Sequence, residues 1–457
     1  MKVVSFIHEG LGNSSYLVGL PNGEAALFDP DRTVARYLAA AEANGWRIAY
    51  VFETHLHADF VSGARELAET SGATLWAASE ARLQFAYQPL VPGQSVQAGG
   101  TEVGVVGSPG HTPEHVAFTL RGPSGPPMLF SGGSLMVGGA ARTDLIAPAQ
   151  TEPLTRLQFR TLHTAFEALP DETLLYPTHG GGSFCSVGSG TARTSTLGLE
   201  RRSNPVLEVR DEEEFVRWFP STFPAVPDYF FRMRAVNQAG PLLRSEIVPP
   251  PSLLPGDFEQ AMRSGALVVD TRPQAEFLAS HIPGALSNTF RDAFATWLGW
   301  LVPPEVPLLF VTGEERIEDV VDECLLVGYE RFAGVLADGI AAWTSSGRAV
   351  ESAPLVDAMA ASRALAAGAV AIDVREASEY RDSHISGALH IPLGSLAKRL
   401  PEVPRGRPLL TYCGHGERSA TALSILQHAG FDQVINLDLG IGGWETAGEP
   451  LERMAAT

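Results

Sequence analysis

The second half of the chain repeats itself. Val268-Val269-Asp270-Thr271-Arg272 with Glu276-Phe277, then His281-Ile282-Pro283-Gly284-Ala285-Leu286, echoes Asp373-Val374-Arg375-Glu376 with Glu379-Tyr380 and His384-Ile385-Ser386-Gly387-Ala388-Leu389. Pro307-Leu308-Leu309-Phe310-Val311 echoes Pro408-Leu409-Leu410-Thr411-Tyr412, and Gly339-Ile340-Ala341-Ala342-Trp343 echoes Gly440-Ile441-Gly442-Gly443-Trp444. A sequence that recurs in this order builds one unit twice. The apolar run at 408–412 reads as a buried parallel strand, and Ala420 to Ala429 reads as a helix with Leu423, Ile425 and Leu426 in its core.

The two copies differ where strand meets helix. The later copy carries Cys413-Gly414-His415-Gly416-Glu417-Arg418-Ser419. A short Gly-containing loop between a strand and a helix N-terminus turns successive N–H groups toward one point and makes an anion cradle. A cysteine at its mouth, with Arg418 adding positive charge, is expected to be largely thiolate near neutral pH. The earlier copy reads Thr312-Gly313-Glu314-Glu315-Arg316, one residue shorter. A threonine hydroxyl is not appreciably ionised near neutral pH and two glutamates repel an anion, so this copy is expected to be silent. Cys324 falls on the following helix at a position matching Leu426 and reads as core.

The later loop resembles the Cys-x-x-Gly-x-Arg-Ser loop of rhodanese-type sulfurtransferases, and the flanking segments resemble that family too. The resemblance implies that Cys413 attacks a sulfane sulfur and becomes a persulfide. It also implies that Gly414, His415, Gly416, Glu417, Arg418 and Ser419 hold the anionic donor and the bound persulfide.

The chain has 457 residues, enough for about three domains, and carries 33 basic against 52 acidic residues, a formal charge of −19. That balance offers no basic stripe for nucleic acid. Three cysteines, Cys185, Cys324 and Cys413, lack any framework spacing and fit a reducing compartment. With neither a signal peptide nor a membrane-spanning run read from the sequence, a cytoplasmic location is expected.

Ahead of the repeat, Ser15 to Val18 and Ala25 to Asp29 read as a hairpin across Pro21-Asn22-Gly23, followed by a helix from Thr33 to Asn44 and a buried strand from Ile48 to Phe52. Past that strand comes Thr54-His55-Leu56-His57-Ala58-Asp59-Phe60. Alternate potential ligands beyond a strand end can converge on a metal. His111, in Gly110-His111-Thr112, and His179, in Thr178-His179-Gly180, follow in later loops.

This order resembles metallo-β-lactamase-fold proteins, an αββα sandwich with metal at one edge. The closer likeness is to their persulfide dioxygenases, through Ala58-Asp59, Gly110-His111-Thr112, Arg142-Thr143-Asp144-Leu145 and Thr196 to Pro205. Those enzymes hold Fe(II) with two histidines and an aspartate. His55 and His111 match, but Gly133 stands at the aspartate's place, and Phe60 and Gly139 replace two further family residues. Either His57 swings in with His55 and His111 as a three-His site, or the site is empty and the domain is a scaffold. Asp59 and His179 are expected to hydrogen-bond the histidines or to be remnants of a lost site. By the same resemblance Arg142 and Cys185 lie near the thiol-persulfide pocket. Cys185 is either a sulfur acceptor or a packing residue. His115 is more readily structural than a ligand.

Asp211 to Val216 opens a helix, 220–227 is non-helical, and Ile247 to Pro251 reads as a semi-rigid linker. The expected chain is therefore α/β: a dioxygenase-like domain over 1–245, a degenerate rhodanese domain over 246–352 and an active one over 353–457, each of the latter two built on a central parallel sheet. The expected function is sulfur transfer from thiosulfate or a low-molecular-weight thiol persulfide through Cys413. Two alternatives stand beside it: a working persulfide dioxygenase on an unusual three-His metal, and a non-catalytic sulfur carrier or scaffold. One Fe or Zn ion, weakly held or absent, no organic cofactor, and a homodimer or larger assembly complete the expectation.

Overall fold

A computed structural model describes residues 1–187 and 192–453. The chain divides into two compact units, one formed by Met1–Ile247 with Asp322–Glu330, the other by Val248–Val321 with Arg331–Thr457.

The first unit is the αββα sandwich. One six-stranded sheet runs in chain order from Val3–His8 through Asn13–Gly19, Glu24–Phe28, Arg47–Glu53 and Thr74–Ala78 to Gln88–Leu90. The other orders Ser195–Thr196, Leu174–Pro177, Met128–Gly132, Val116–Leu120, Thr101–Gly107 and Ser95–Ala98. The expected hairpin forms, with Tyr16 opposite Phe28, and the expected helix is Val34–Ala43. Strand alternation divides the side chains. Tyr16, Val18 and Phe28 point between the sheets to meet Phe52, Phe118 and Phe130, while Leu17 and Leu27 point out to Val34, Tyr37 and Leu67 on the covering helices. Phe28 stacks on Phe130 with centroids 3.8 Å apart.

In the second unit the repeat becomes two five-stranded parallel sheets of the same permuted order. The first is Ser252–Leu253, Phe332–Leu336, Leu308–Val311, Leu267–Asp270, Leu286–Ser287, and the second is Leu355–Val356, Val434–Leu437, Leu409–Tyr412, Val370–Asp373, Leu389–His390. One apolar core runs through both copies, from Phe258, Phe277 and Trp297 to Ile372, Leu396 and Leu423. The Trp300 ring lies where a Cβ on Gly394 would fall, within 2.2 Å, and the Ser287 N–H donates to Ser424 Oγ at 3.2 Å.

Two local readings shift. The helix after the cysteine loop spans Glu417–His428, beginning three residues before Ala420. Within 220–227, expected to be non-helical, a short 3₁₀ turn spans Phe219–Thr222 with Pro220 at its start, where a proline's missing N–H costs nothing. Among the described residues no helix is long and apolar enough to cross a membrane.

Candidate functional site

The strand Leu409–Tyr412 delivers Cys413 to the N-terminus of the helix Glu417–His428. The turn between them needs Gly416, at φ 115°, a region that L side chains rarely enter. The Gly416 N–H donates to Cys413 Sγ at 3.1 Å, and the Ser419 hydroxyl lies 3.6 Å from the same sulfur. The first-turn N–H groups of the helix, which an α-helix leaves unpaired, face the same cradle. The sulfur departs from expectation in depth. Cys413 is 1% exposed and forms the floor of the loop, not its mouth, while Gly414 and the exposed His415 form the rim.

Arg418 is not a free charge. Its two terminal nitrogens donate to Glu379 Oε2 and Oε1 at 2.7 and 2.8 Å, and one lies 3.2 Å from where a Gly414 Cβ would be. The carboxylate fixes the guanidinium against the loop. Burial pushes the Glu379 carboxyl up, but hydrogen bonds and charge from Arg418 outweigh it and leave it below the ordinary value.

The earlier copy's loop is filled from within. Glu315 Oε1 accepts from the Gly313 N–H at 3.0 Å and from the Thr271 hydroxyl, so a carboxylate stands beside the backbone where a donor anion would bind. Cys324 is fully buried.

In the first unit, His55, His111 and His179 bring one nitrogen each within 4.8 Å of one another, all buried. Each ring is turned by its Nδ1. Thr54 Oγ1 gives its hydrogen to Asp29 at 2.7 Å and so accepts from His55 Nδ1 at 2.8 Å. His111 Nδ1 donates to the Arg142 carbonyl at 2.6 Å. Asp59 Oδ2 lies 3.0 Å from His179 Nδ1, an ion-pair distance without aligned hydrogen-bond geometry. All three Nε2 atoms are left for a common point. His111 Nε2 is buried without a partner, and the Nε2 atoms of His55 and His179 are 3.2 Å apart. Two lone pairs that close repel unless a cation or proton lies between them, and Zn–N distances imply a tetrahedral edge of about 3.3 Å. The donor set therefore fits a divalent metal such as Fe or Zn. Burial lowers the His55 pKa well below the ordinary value and that of His111 to about 3, keeping both rings as neutral ligands.

The three-His set is not the expected one. His57 turns away, with Nε2 at 3.5 Å from Asp29 Oδ1 and 3.3 Å from Glu53 Oε2. Burial opposes its charge, but the two carboxylates outweigh burial and raise its pKa to about 10. His179, expected to support the site, closes the set instead. A Cβ on Gly133 would fall 2.8 Å from His111 Cδ2 and 3.1 Å from His179 Cδ2, so position 133 faces the cluster and the two rings stand against it. His115 is structural: Ser108 Oγ is at its Nδ1, 2.8 Å away, and its Nε2 accepts from the Gly133 N–H at 3.0 Å.

Arg142, expected to bind substrate, is a buried strut. It chelates Asp144 at 2.7 and 2.8 Å and donates to the carbonyls of Phe184 and Pro224. Cys185 is 0% exposed and burial pushes its thiol well up, which favours packing over sulfur capture. Sequence reasoning missed Asp29 and Glu53, whose only signal was an acid at each strand end. Glu379 was visible as a motif residue, but its partner was not.

Among known proteins, the family model for the Rhodanese-like domain matches residues 254–346 and 357–447, and that for the Metallo-beta-lactamase superfamily matches 8–189. The mitochondrial persulfide dioxygenase of Homo sapiens is 30% identical over 204 residues, 44% of this chain and 73% of that protein. The hydroxyacylglutathione hydrolase of Nitrosococcus oceani is 33% identical over 171 residues, 36% of this chain, which spans 62% of that enzyme's length. A crystal structure of a metallo-beta-lactamase from Staphylococcus aureus subsp. aureus COL aligns at a TM-score of 0.65 with 27% identity, covering 74% of this chain and 98% of that one.

Proposed function

The chain belongs to the metallo-beta-lactamase superfamily and carries two rhodanese-like domains behind that first domain, and from this we propose that it is a sulfurtransferase working through a persulfide on Cys413. The carrying observation is the sulfur at the helix N-terminus, with the Gly416 N–H at 3.1 Å and the Ser419 hydroxyl beside it. The Cys413 thiolate attacks the outer sulfur of thiosulfate or of a low-molecular-weight thiol persulfide. The sulfur–sulfur bond of the donor breaks, and its electron pair leaves with sulfite or with the carrier thiolate. The terminal sulfur stays on Cys413 as an anionic persulfide facing the loop N–H groups. A second thiolate or cyanide then takes that sulfur and returns the Cys413 thiolate. Purified protein is expected to transfer sulfur from thiosulfate to cyanide, and Cys413→Ser to abolish this; retained transfer in that variant defeats the reading.

For the first domain, the convergence of three Nε2 atoms favours a metal held by His55, His111 and His179. Such an ion supplies Lewis acidity and a site for a persulfide sulfur to bind. The histidines fix its position, with Thr54 and the Arg142 carbonyl holding the His55 and His111 rings and Asp59 beside that of His179. Three imidazoles offer no carboxylate to offset its charge, so weak retention or Zn(II) is favoured over Fe(II). Metal analysis of the purified chain, with oxygen uptake on glutathione persulfide, separates a binding domain from a dioxygenase: tightly held iron with oxygen uptake supports the latter.

A further inference from the structure

The silent repeat reaches the sulfur loop of the working one. Gln274 opens the helix Gln274–Ala279 of the earlier copy, and the end of its amide, nitrogen and oxygen together, points at Gly416. A Cβ built on Gly416 would fall 2.5 Å from both Gln274 Nε2 and Oε1 and 2.9 Å from Cδ. Gly416 is the residue whose N–H meets the sulfur. Its carbonyl is held by the Ala420 N–H at 3.0 Å, the Ser419 hydroxyl at 2.8 Å and Asn436 Nδ2 at 3.3 Å, and Gln274 meets it on the side a Cβ would occupy, at a φ of 115° that a glycine can leave. Gln274 Oε1 is buried with no hydrogen-bond partner, so the oxygen is held at this place by packing and not by a hydrogen bond. About two turns further along the helix that begins at Glu417, the Ser287 N–H donates to Ser424 Oγ and ties the two copies together again.

We infer that Gln274 is a positioning residue for the sulfur loop, a wedge supplied by the catalytically silent copy that holds Gly416 so its N–H stays aimed at Cys413. This gives the silent copy a task in the reaction although it carries no nucleophile. It rests on the sulfur-transfer reading of Cys413.

The test uses the full chain with Gln274→Ala, which removes the wedge, and Gln274→Met, which restores its length and volume without the amide. Persulfide loading by thiosulfate is followed in a single turnover. Hydrogen–deuterium exchange is read separately on the peptide spanning 413–418, which needs no activity. Gln274→Ala is expected to slow loading at saturating thiosulfate by about tenfold, leave KM within about twofold, and speed exchange in the loop. Gln274→Met is expected to return both toward wild type. Unchanged loading and exchange in Gln274→Ala would overturn the inference, as would a Met variant as impaired as Ala. If wild type loads no sulfur while exchange still responds to Gln274→Ala and recovers with Met, the transfer reading falls and the positioning role stands.

Discussion

At position 133 two histidine rings stand against a glycine. A carboxylate placed there must displace the rings of His111 and His179, which already occupy its approach. Gly133→Asp is therefore expected to destabilise the first unit by about 1–3 kcal/mol through overpacking, read from urea midpoints, and not to act as a simple gain of ligand in metal analysis. The sequence shows a glycine at position 133 plainly, but not that His179 joins His55 and His111. His57 and His179 are equally plausible as ligands in a string of letters. What separates them is Asp29 and Glu53, whose buried carboxylates capture His57, one from a strand end 28 residues earlier and the other from four residues back. Arg142 was likewise legible as a motif residue, while its consumption by Asp144 and two carbonyls depends on chain returning from 184 and 224. The pair Glu379–Arg418 gives a pH signature. Since Arg418 holds the Glu379 carboxyl below its ordinary value of 4.5, the pair's stabilisation is full above that value and is lost as pH falls through the lower folded one. Glu379→Gln is expected to lower stability at neutral pH and to converge with wild type in acid, measured as unfolding midpoints along a descending pH series.

Among elements, strand and helix identity in the repeat was readable, because short apolar runs bounded by turn residues alternate with helical patterns. The depth of Cys413 was not. That depends on a helix beginning at Glu417 rather than Ala420, which draws the loop tight and places the sulfur beneath Gly414 and His415. The paired element in the earlier copy shows why swapping one residue does not transplant an activity. Glu315 sits on the loop N–H that would receive an anion. Thr312→Cys in a Cys413→Ser background is expected to show no thiosulfate-to-cyanide transfer; recovered transfer would mean that the carboxylate leaves the cradle readily.

On the scale of the whole molecule, the formal charge of −19 acts against the proposed dianionic donor. Repulsion slows encounter and is screened by salt, with a Debye length of about 10 Å at 0.1 M. The kcat/KM for thiosulfate is expected to rise with ionic strength, and a fall would point to a local basic funnel that overrides net charge. The continuous core of the second unit carries a different consequence. Trp300 seated on Gly394, and Phe277 and Trp297 sharing one interior with Ile372 and Leu423, mean that the earlier copy cannot be deleted without baring the core of the later one. The loop at 312–316 can therefore be rewritten without cost to the later copy's interior, whereas the buried surfaces around it cannot.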